Sequence, residues 1–245
     1  MDYDKLAEKR DLLNENMNLF SKELLNNYQN DFDINFTHES AAIEGNTLTL
    51  METKLLLEDK ISVSGKDLRE IYEVVNHNKA WKFAENNIKN CLDLDENLIK
   101  TFHKILMENI MDGGVYRDAD VKITGAKHSP PSRFILSYEL KDFYNTLSSN
   151  NFNGIELVAY THGEFVKIHP FFDGNGRLSR ILMNYQLVKN KFLPITIKNY
   201  EKLNYYDVLD EYAVNNNLKP FVQLLYELEE EQLDFYLKQI KSKIK

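Results

Sequence analysis

The sequence is short of the residues that punctuate a chain. It has nine glycines and five prolines in 245 residues, against a usual combined share of roughly 12%. An all-β sandwich or barrel, which needs a turn every ~8–12 residues, is a poor match to that economy, and a mostly helical fold is the better one. There is one cysteine, Cys91, so no intramolecular disulfide forms and nothing demands an oxidising compartment. No stretch approaches the ~18–20 apolar residues of a membrane helix, and the start, Met1-Asp2-Tyr3-Asp4, is too acidic for a secretory signal. Basic residues are in the minority: 30 Lys and Arg against 38 Asp and Glu, a net charge of −8. Nucleic acid is therefore not the main partner, because neutralising phosphates needs a basic face. The lysines near the end (Lys238, Lys241, Lys243, Lys245) read as cations complementing a helix C-terminus. The expectation is a soluble, cytoplasmic protein that binds neither nucleic acid nor membrane.

What is present is ordinary globular material, 43% apolar and 28% charged, without internal repeat, linker or low-complexity tract. Residues 4–30 carry leucines at helical spacing (Leu6, Leu12, Leu13, Leu24, Leu25). The pattern returns over 68–88 (Leu68, Ile71, Val74, Val75, Trp81) and over 97–111 (Leu98, Ile99, Phe102, Ile105, Leu106). It returns again near the end, with Phe221, Leu224, Leu225 and Leu228 leading towards Phe235 and Leu237. Steps of three and four give one apolar stripe per helix, hence helices packed on helices. One segment departs from this. Val121-Lys122-Ile123-Thr124 alternates apolar with polar between Gly113-Gly114 and Gly125, followed by Pro130-Pro131, which reads as a strand or small hairpin projecting from the helical body.

The chemistry is concentrated in His169-Pro170-Phe171-Phe172-Asp173-Gly174-Asn175-Gly176-Arg177-Leu178-Ser179-Arg180. Glu156–Ile168 before it and Leu178–Lys189 after it read as helices, so the glycines mark a tight turn ending at a helix N-terminus. Glycine lets a ligand approach the main chain. Successive N–H groups at a helix start bind anions, and Arg177 and Arg180, three apart, lie on one face of the first turn where both can fork onto phosphate oxygens. A Walker A loop is excluded because Arg177-Leu178 replaces Lys-Ser/Thr. A dinucleotide fingerprint is excluded because position 179 is Ser and a helix, not a strand, precedes the turn. His169 suits proton abstraction near neutral pH, and Asp173 offers a hard oxygen to Mg²⁺. A zinc site is disfavoured, since no further ligand sits at metal spacing. A base, a metal carboxylate, an amide nest and two arginines are the parts for attack of a hydroxyl on phosphorus.

This stretch matches the signature H-x-F-x-[DE]-G-N-G-R-x-x-R of the Fic family at every specified position. Gly125–Pro131 resembles the end of the family's flap hairpin, and Ser40-Ala41-Ala42-Ile43-Glu44-Gly45-Asn46 resembles its inhibitory motif [ST]-x-x-x-E-[GN]. From about Thr37 to Leu237 the chain is similar to the catalytic part of the animal endoplasmic-reticulum member. The resemblance implies an all-α Fic fold with a small β-hairpin flap beside the active site. It divides the chain into an N-terminal helical segment (1–34) and a Fic domain (35–245) containing an inhibitory helix (about 37–45), the flap (about 115–131) and the motif loop (169–180).

The activity it implies is transfer of AMP from ATP to a Ser, Thr or Tyr hydroxyl of a protein, with release of pyrophosphate. His169 would be the base and Asp173 the Mg²⁺ ligand. The amides around Gly174, Asn175 and Gly176 would bind phosphates with Arg177, while Arg180 would reach the γ-phosphate. Phe171 would be buried as an anchor, and Tyr206 and Asn215 would meet the adenine. Val121, Lys122, Ile123 and Thr124 would pair with the target's backbone as an added strand. Homodimers are common among relatives with this inhibitory arrangement.

Locally, Thr37–Glu44 reads as a short helix stopped by Gly45, and Thr49-Leu50-Met51-Glu52 as a capping box opening the next. By pattern alone Glu44 is a solvated residue. The resemblance instead sends it into the ATP site, paired with Arg180, where it would compete with a γ-phosphate oxygen. Two alternatives stand beside the transferase reading. One is a de-AMPylating or bifunctional enzyme in which Glu44 positions water; the other is a nucleotide-binding module without turnover.

Overall fold

The structure, a computed structural model, describes residues 1–149 and 152–244, the last three by backbone alone. Lys245 and the side chain of Lys243 thus lie outside the described residues. Among those residues the regular structure is helical and no strand forms. Ten α-helices follow in order: α1 (Tyr3–Asn16), α2 (Lys22–Ile43), α3 (Leu50–Lys54), α4 (Leu68–Lys89), α5 (Glu96–Leu106), α6 (Leu136–Ser149), α7 (Gly154–Ile168), α8 (Asn175–Lys189), α9 (Lys202–Asn215) and α10 (Lys219–Ile244). Their starts are chemically marked. Asp2 accepts from the Lys5 N–H at 3.1 Å, Ser21 from Leu24 at 3.2 Å and Asp95 from Leu98 at 2.7 Å. Thr49 and Glu52 form the capping box that opens α3. Each cap satisfies an amide that the helix itself leaves without an acceptor.

α7 and α8 are the most extensively packed pair, and they lie between two apolar clusters. One gathers α1, α9 and α10 around Met183 and Leu187. The other gathers α4, α5 and α6 around Leu178, Ile181 and Leu182. Being covered from both sides, α8 is buried around almost its whole circumference, its two arginines included. A helix in that position has no solvent face on which to place a charge, so each charge it carries must find a partner inside. The stripes expected from the sequence mostly enter these clusters, Trp81 among them, whereas Leu12, Leu68 and Phe235 stay exposed.

Two expectations are corrected. The short helix foreseen over Thr37–Glu44 is the end of α2, which runs for 22 residues, and the division at 34/35 falls inside it. Its stripe is disguised because polar residues share the buried face. Asp33 is buried, accepts the Trp81 indole N–H at 2.8 Å and pairs with Lys82; Thr37 and Ser40 are buried as well.

The flap hairpin does not form among the described residues. Val121–Thr124 runs without a ladder partner into a turn closed by the Ala126 N–H on the Ile123 carbonyl at 3.2 Å. The return limb is committed elsewhere. The Lys127 amide donates to Asp210 on α9 at 3.1 Å, its ammonium meets Asp207 at 3.0 Å, and Pro130 and Pro131 have no N–H to offer a neighbouring strand.

Candidate active site

α7 ends at His169, whose left-handed backbone (φ 51°) lets its N–H return to the Phe165 carbonyl at 3.0 Å. Proline follows, so the helix cannot continue. The carbonyls freed at this end are gathered by Arg117, a buried residue of the flap segment. Its Nε donates to the His169 carbonyl at 2.9 Å, its backbone N–H to Pro170 at 2.9 Å, and its other guanidinium nitrogens to Ala119 at 2.9 Å and Pro131 at 2.5 Å. A cation at a helix C-terminus is favourable, and here it also fixes the orientation of the His169 backbone. Burial lowers the His169 imidazole to a pKa of about 4, with Arg117 working in the same direction. The ring is therefore neutral at physiological pH, the form that accepts a proton.

The loop beyond is held by its own residues. The Asn175 side chain clamps the Phe171 backbone, accepting its N–H at 3.0 Å and donating to its carbonyl at 2.9 Å. Phe171 is fully buried and stacked on His103 of α5, ring centroids 3.6 Å apart. The His103 Nε2 meets the Asp173 carbonyl at 2.9 Å. Gly174 turns through φ 76°, a left-handed conformation that favours glycine, with the Met107 methyl packed against it. α8 then begins at Asn175, earlier than the sequence pattern indicates, so Asn175, Gly176 and Arg177 supply the amides that a helix start leaves without intrahelical acceptors.

Two carboxylate clusters surround this helix start. Asp173 accepts from the Gly174 N–H at 2.6 Å and from Arg177 at 3.2 Å, and pairs with Arg69 of α4. Burial pushes its carboxyl up, but Arg177, the Gly174 amide and Arg69 outweigh that and hold it below its usual range. Glu73, also on α4, reaches Arg177 at 3.3 Å and Arg69 at 3.2 Å. In the second cluster Arg180 donates from Nε to the Ser40 hydroxyl at 2.8 Å. Its Nη2 serves both the Ser40 carbonyl at 2.8 Å and Glu44 Oε1 at 2.7 Å. Ser40 and Glu44 are four apart, so both point from the same face at the end of α2. The Glu44 carboxylate lies over Gly176: a β-carbon there would stand 2.1 Å from Oε1. An anion thus already rests at the positive end of α8. Glu44 is near enough to His169 to favour its protonated form, against the larger effect of burial.

Tyr206 stands in the second turn of α9 with its ring partly open to solvent, its hydroxyl pushed up by desolvation and by Glu44. Asn215 is at the far end of α9, exposed, and donates to Glu211 at 2.7 Å; no contact among the described residues joins it to the loop. Nine residues of helix separate the two by roughly 13 Å. Val121–Thr124 belongs to the same segment as Arg117, the residue bound to the His169 carbonyl.

Residues 93–187 match the model of the Fic/DOC family, and that span holds the whole loop from His169 to Arg180. The chain belongs to the Fic/DOC family. A protein adenylyltransferase Fic from Drosophila grimshawi is 32% identical over 205 residues, covering 82% of this chain and 42% of that protein. One from Aedes aegypti is 31% identical over 241 residues, covering 96% of this chain and 47% of that protein. The chain therefore spans under half the length of these Fic relatives. Among solved structures, a fragment of Fic-1 from C. elegans superposes with a TM-score of 0.82 at 28% identity, covering 97% of this chain and 71% of that one. A Fic-domain signaling protein from Bacteroides thetaiotaomicron shares the fold, with a TM-score of 0.87 at 24% identity, covering 98% and 96% of the two chains.

These relatives overturn the cytoplasmic placement. They are animal Fic adenylyltransferases, the group whose endoplasmic-reticulum member the sequence resembles. A lone cysteine and an acidic start do not determine a compartment. No helix among the described residues is long and apolar enough to cross a membrane.

Sequence reasoning missed Arg69, Glu73, His103 and Arg117. A signal for Glu73 was available in principle: two arginines on a helix buried all round demand carboxylates, and Glu73 lies on the helix that packs against α8; Arg69, itself a cation, has no such signal. His103 and Arg117 act on backbone carbonyls, which no residue pattern discloses.

Proposed function

We propose that this chain transfers AMP from ATP to a Ser, Thr or Tyr hydroxyl of a protein, and that Glu44 restrains it. The observation that carries the reading is the Glu44 carboxylate lodged between Arg180 and Gly176 at the start of α8. A site that accommodates a carboxylate oxygen there offers a phosphate oxygen the same donors. In the reaction the acceptor oxygen attacks the α-phosphorus as its proton passes to the neutral imidazole of His169. The bond to the β-phosphate oxygen breaks and pyrophosphate leaves. The amides of Asn175, Gly176 and Arg177 would hold the phosphates, Arg180 the γ-phosphate once Glu44 withdraws, and Tyr206 would lie against the purine. Asp173 fits Mg²⁺. It is a partly exposed, ionised carboxylate, and no cluster of three potential ligands occurs among the described residues, as suits an ion that takes one carboxylate together with substrate phosphates. When bound, Mg²⁺ would neutralise charge on the α- and β-phosphates. Val121–Thr124, free of a strand partner, would accept the target's backbone, and a homodimer is the assembly proposed.

The test is incubation of the Glu44→Gly protein and a host lysate with each radiolabelled nucleotide, followed by mass spectrometry of labelled bands. Freed alignment of the α-phosphorus should raise transfer from ATP by about a hundredfold. An unchanged rate would discard the restraint by Glu44. ATP binding without pyrophosphate release in this variant would leave a binding module. The proximity of Glu44 to His169 favours a second reading, in which Glu44 orients water for removal of AMP. Release of AMP from a modified target, lost in Glu44→Gly, would establish it.

A further inference from the structure

We infer that His103 is a positioning residue that sets the Asp173 main chain, and with it the carboxylate offered to the metal, against the base of the flap segment. The inference rests on the transferase reading only for the purpose of that carboxylate; its geometry is independent of it. His103 is buried on α5 and saturated on both nitrogens. Nδ1 accepts the Gly114 N–H at 2.8 Å, so it bears no proton, and Nε2–H therefore donates to the Asp173 carbonyl at 2.9 Å. The ring face is taken by Phe171, interplanar angle 5°. One imidazole thus joins α5, the start of the flap segment and the motif loop, residues far apart in sequence.

The two glycines leading into the flap segment leave no room for a side chain. A β-carbon on Gly113 would stand 2.6 Å from the Lys104 Cα, and one on Gly114 (φ 80°) 2.9 Å from the Lys100 carbonyl oxygen. One on Gly174 would meet Met107 at 2.5 Å and lie 3.5 Å from the His103 Nε2 itself. On the Gly114 side the backbone is pressed against the main chain of α5, so that hydrogen bond has little freedom to lengthen; on the other side the left-handed turn at Gly174 (φ 76°) fixes the direction of the Asp173 carbonyl. Asp173 would hold the metal through its side chain while its own carbonyl is held by His103, an arrangement in which an outer residue aims an inner ligand.

Two substitutions separate the two bonds. His103→Gln puts an amide donor at the reach of Nε2 and keeps the bond to Asp173. His103→Asn puts an acceptor at the reach of Nδ1 and keeps only the bond to Gly114. Both lose the stacked ring, so both should lower the melting temperature to a similar extent. In the Glu44→Gly background, Mn²⁺ binding in the presence of a non-hydrolysable ATP analogue is followed by electron paramagnetic resonance, and Mg²⁺ dependence by pyrophosphate release. His103→Asn should weaken metal affinity about tenfold, while His103→Gln stays within about twofold and the KM for ATP at saturating Mg²⁺ moves little in either. Equal metal affinities in the two variants, or losses that track the melting temperature, would overturn the inference. If Glu44→Gly with His103 intact releases no pyrophosphate while the Mn²⁺ affinities split as stated, the transferase reading fails and the positioning role stands.

Discussion

Arg177 and Arg180 lie one helical turn apart on α8, each with a side chain only 2% exposed, yet they are neutralised in different ways. Arg177 takes Asp173 from its own loop and Glu73 from α4. Arg180 takes Ser40 and Glu44 from the end of α2, 140 and 136 residues upstream. A buried guanidinium cannot remain unpaired, so both need anions or carbonyls wherever the chain can bring them. The difference lies in how replaceable the partner is. The two carboxylates are equally exposed, 32% for Asp173 and 33% for Glu44, but Asp173 is tied down by its own loop amide as well as by two arginines, whereas Glu44 reaches in to Arg180 from a helix end. In the function proposed above, the first pair builds the site and the second would close it with a group that a phosphate displaces.

The largest effect that would sharpen this contrast concerns His169, the proposed base at the other end of the motif loop. In the Glu44→Gly background, His169→Ala should lower transfer by about 10²–10⁴-fold, with ATP affinity measured by calorimetry nearly unchanged. Retained transfer would mean that the proton goes elsewhere. Because burial already holds His169 at about 4, the acid limb of kcat/KM in Glu44→Gly should lie below pH 5 rather than near the ordinary imidazole value of about 6.5.

Acid should next loosen both arginine environments together. Burial lowers His162 to about 3 and His103 and His169 to about 4, and pushes His77 well below its ordinary value; Arg180 also depresses His162 and His77. These groups bind protons in the unfolded chain but not in the folded one as pH falls below about 6.5. Each therefore removes stability at about 1.4 kcal/mol per pH unit until its folded pKa is reached. Urea titrations at pH 7, 6 and 5 should show a steepening loss; a flat profile would mean these rings are not neutral and buried.

A smaller effect probes the Arg180 side alone. Ser40→Ala removes the acceptor of Nε and leaves a buried donor unsatisfied, at a cost of about 1–3 kcal/mol. It should also raise basal transfer severalfold by loosening the guanidinium that holds Glu44, an increase absent when Glu44→Gly is already present. The smallest is Asn215→Ala. With its side chain on Glu211 and away from the loop, the change should leave the KM for ATP within about twofold, since exposed substitutions of this kind move little. A large rise would place Asn215 at the adenine, as the family resemblance implies.

The motif loop was legible because its residues are contiguous. Twelve positions contain the base, the carboxylate, the amides and both arginines, and helix periodicity on either side marks the turn. Glu44 was legible only through its resemblance to a known motif, since nothing in its neighbours distinguishes it from a solvated glutamate. The long course of α2 was hidden because Asp33, Thr37 and Ser40 face inward and satisfy partners that the sequence does not name. The flap was misread because alternation indicates an extended chain, not the presence of a second strand to pair with it.

By itself, then, the sequence settled the helical class through its poverty in turn residues, and the chemical character of the loop through short-range spacing. Both depend on groups within a few residues of one another, whose geometry follows from local backbone periodicity. Only the tertiary structure decided which carboxylate answers which arginine, that His103 and Arg117 hold the loop by its carbonyls, and that the flap segment stays unpaired. Those outcomes come from packing α8 between two apolar clusters. Burial makes its charges seek partners, and which partners they meet is set by the helices laid across it rather than by any residue nearby in the chain.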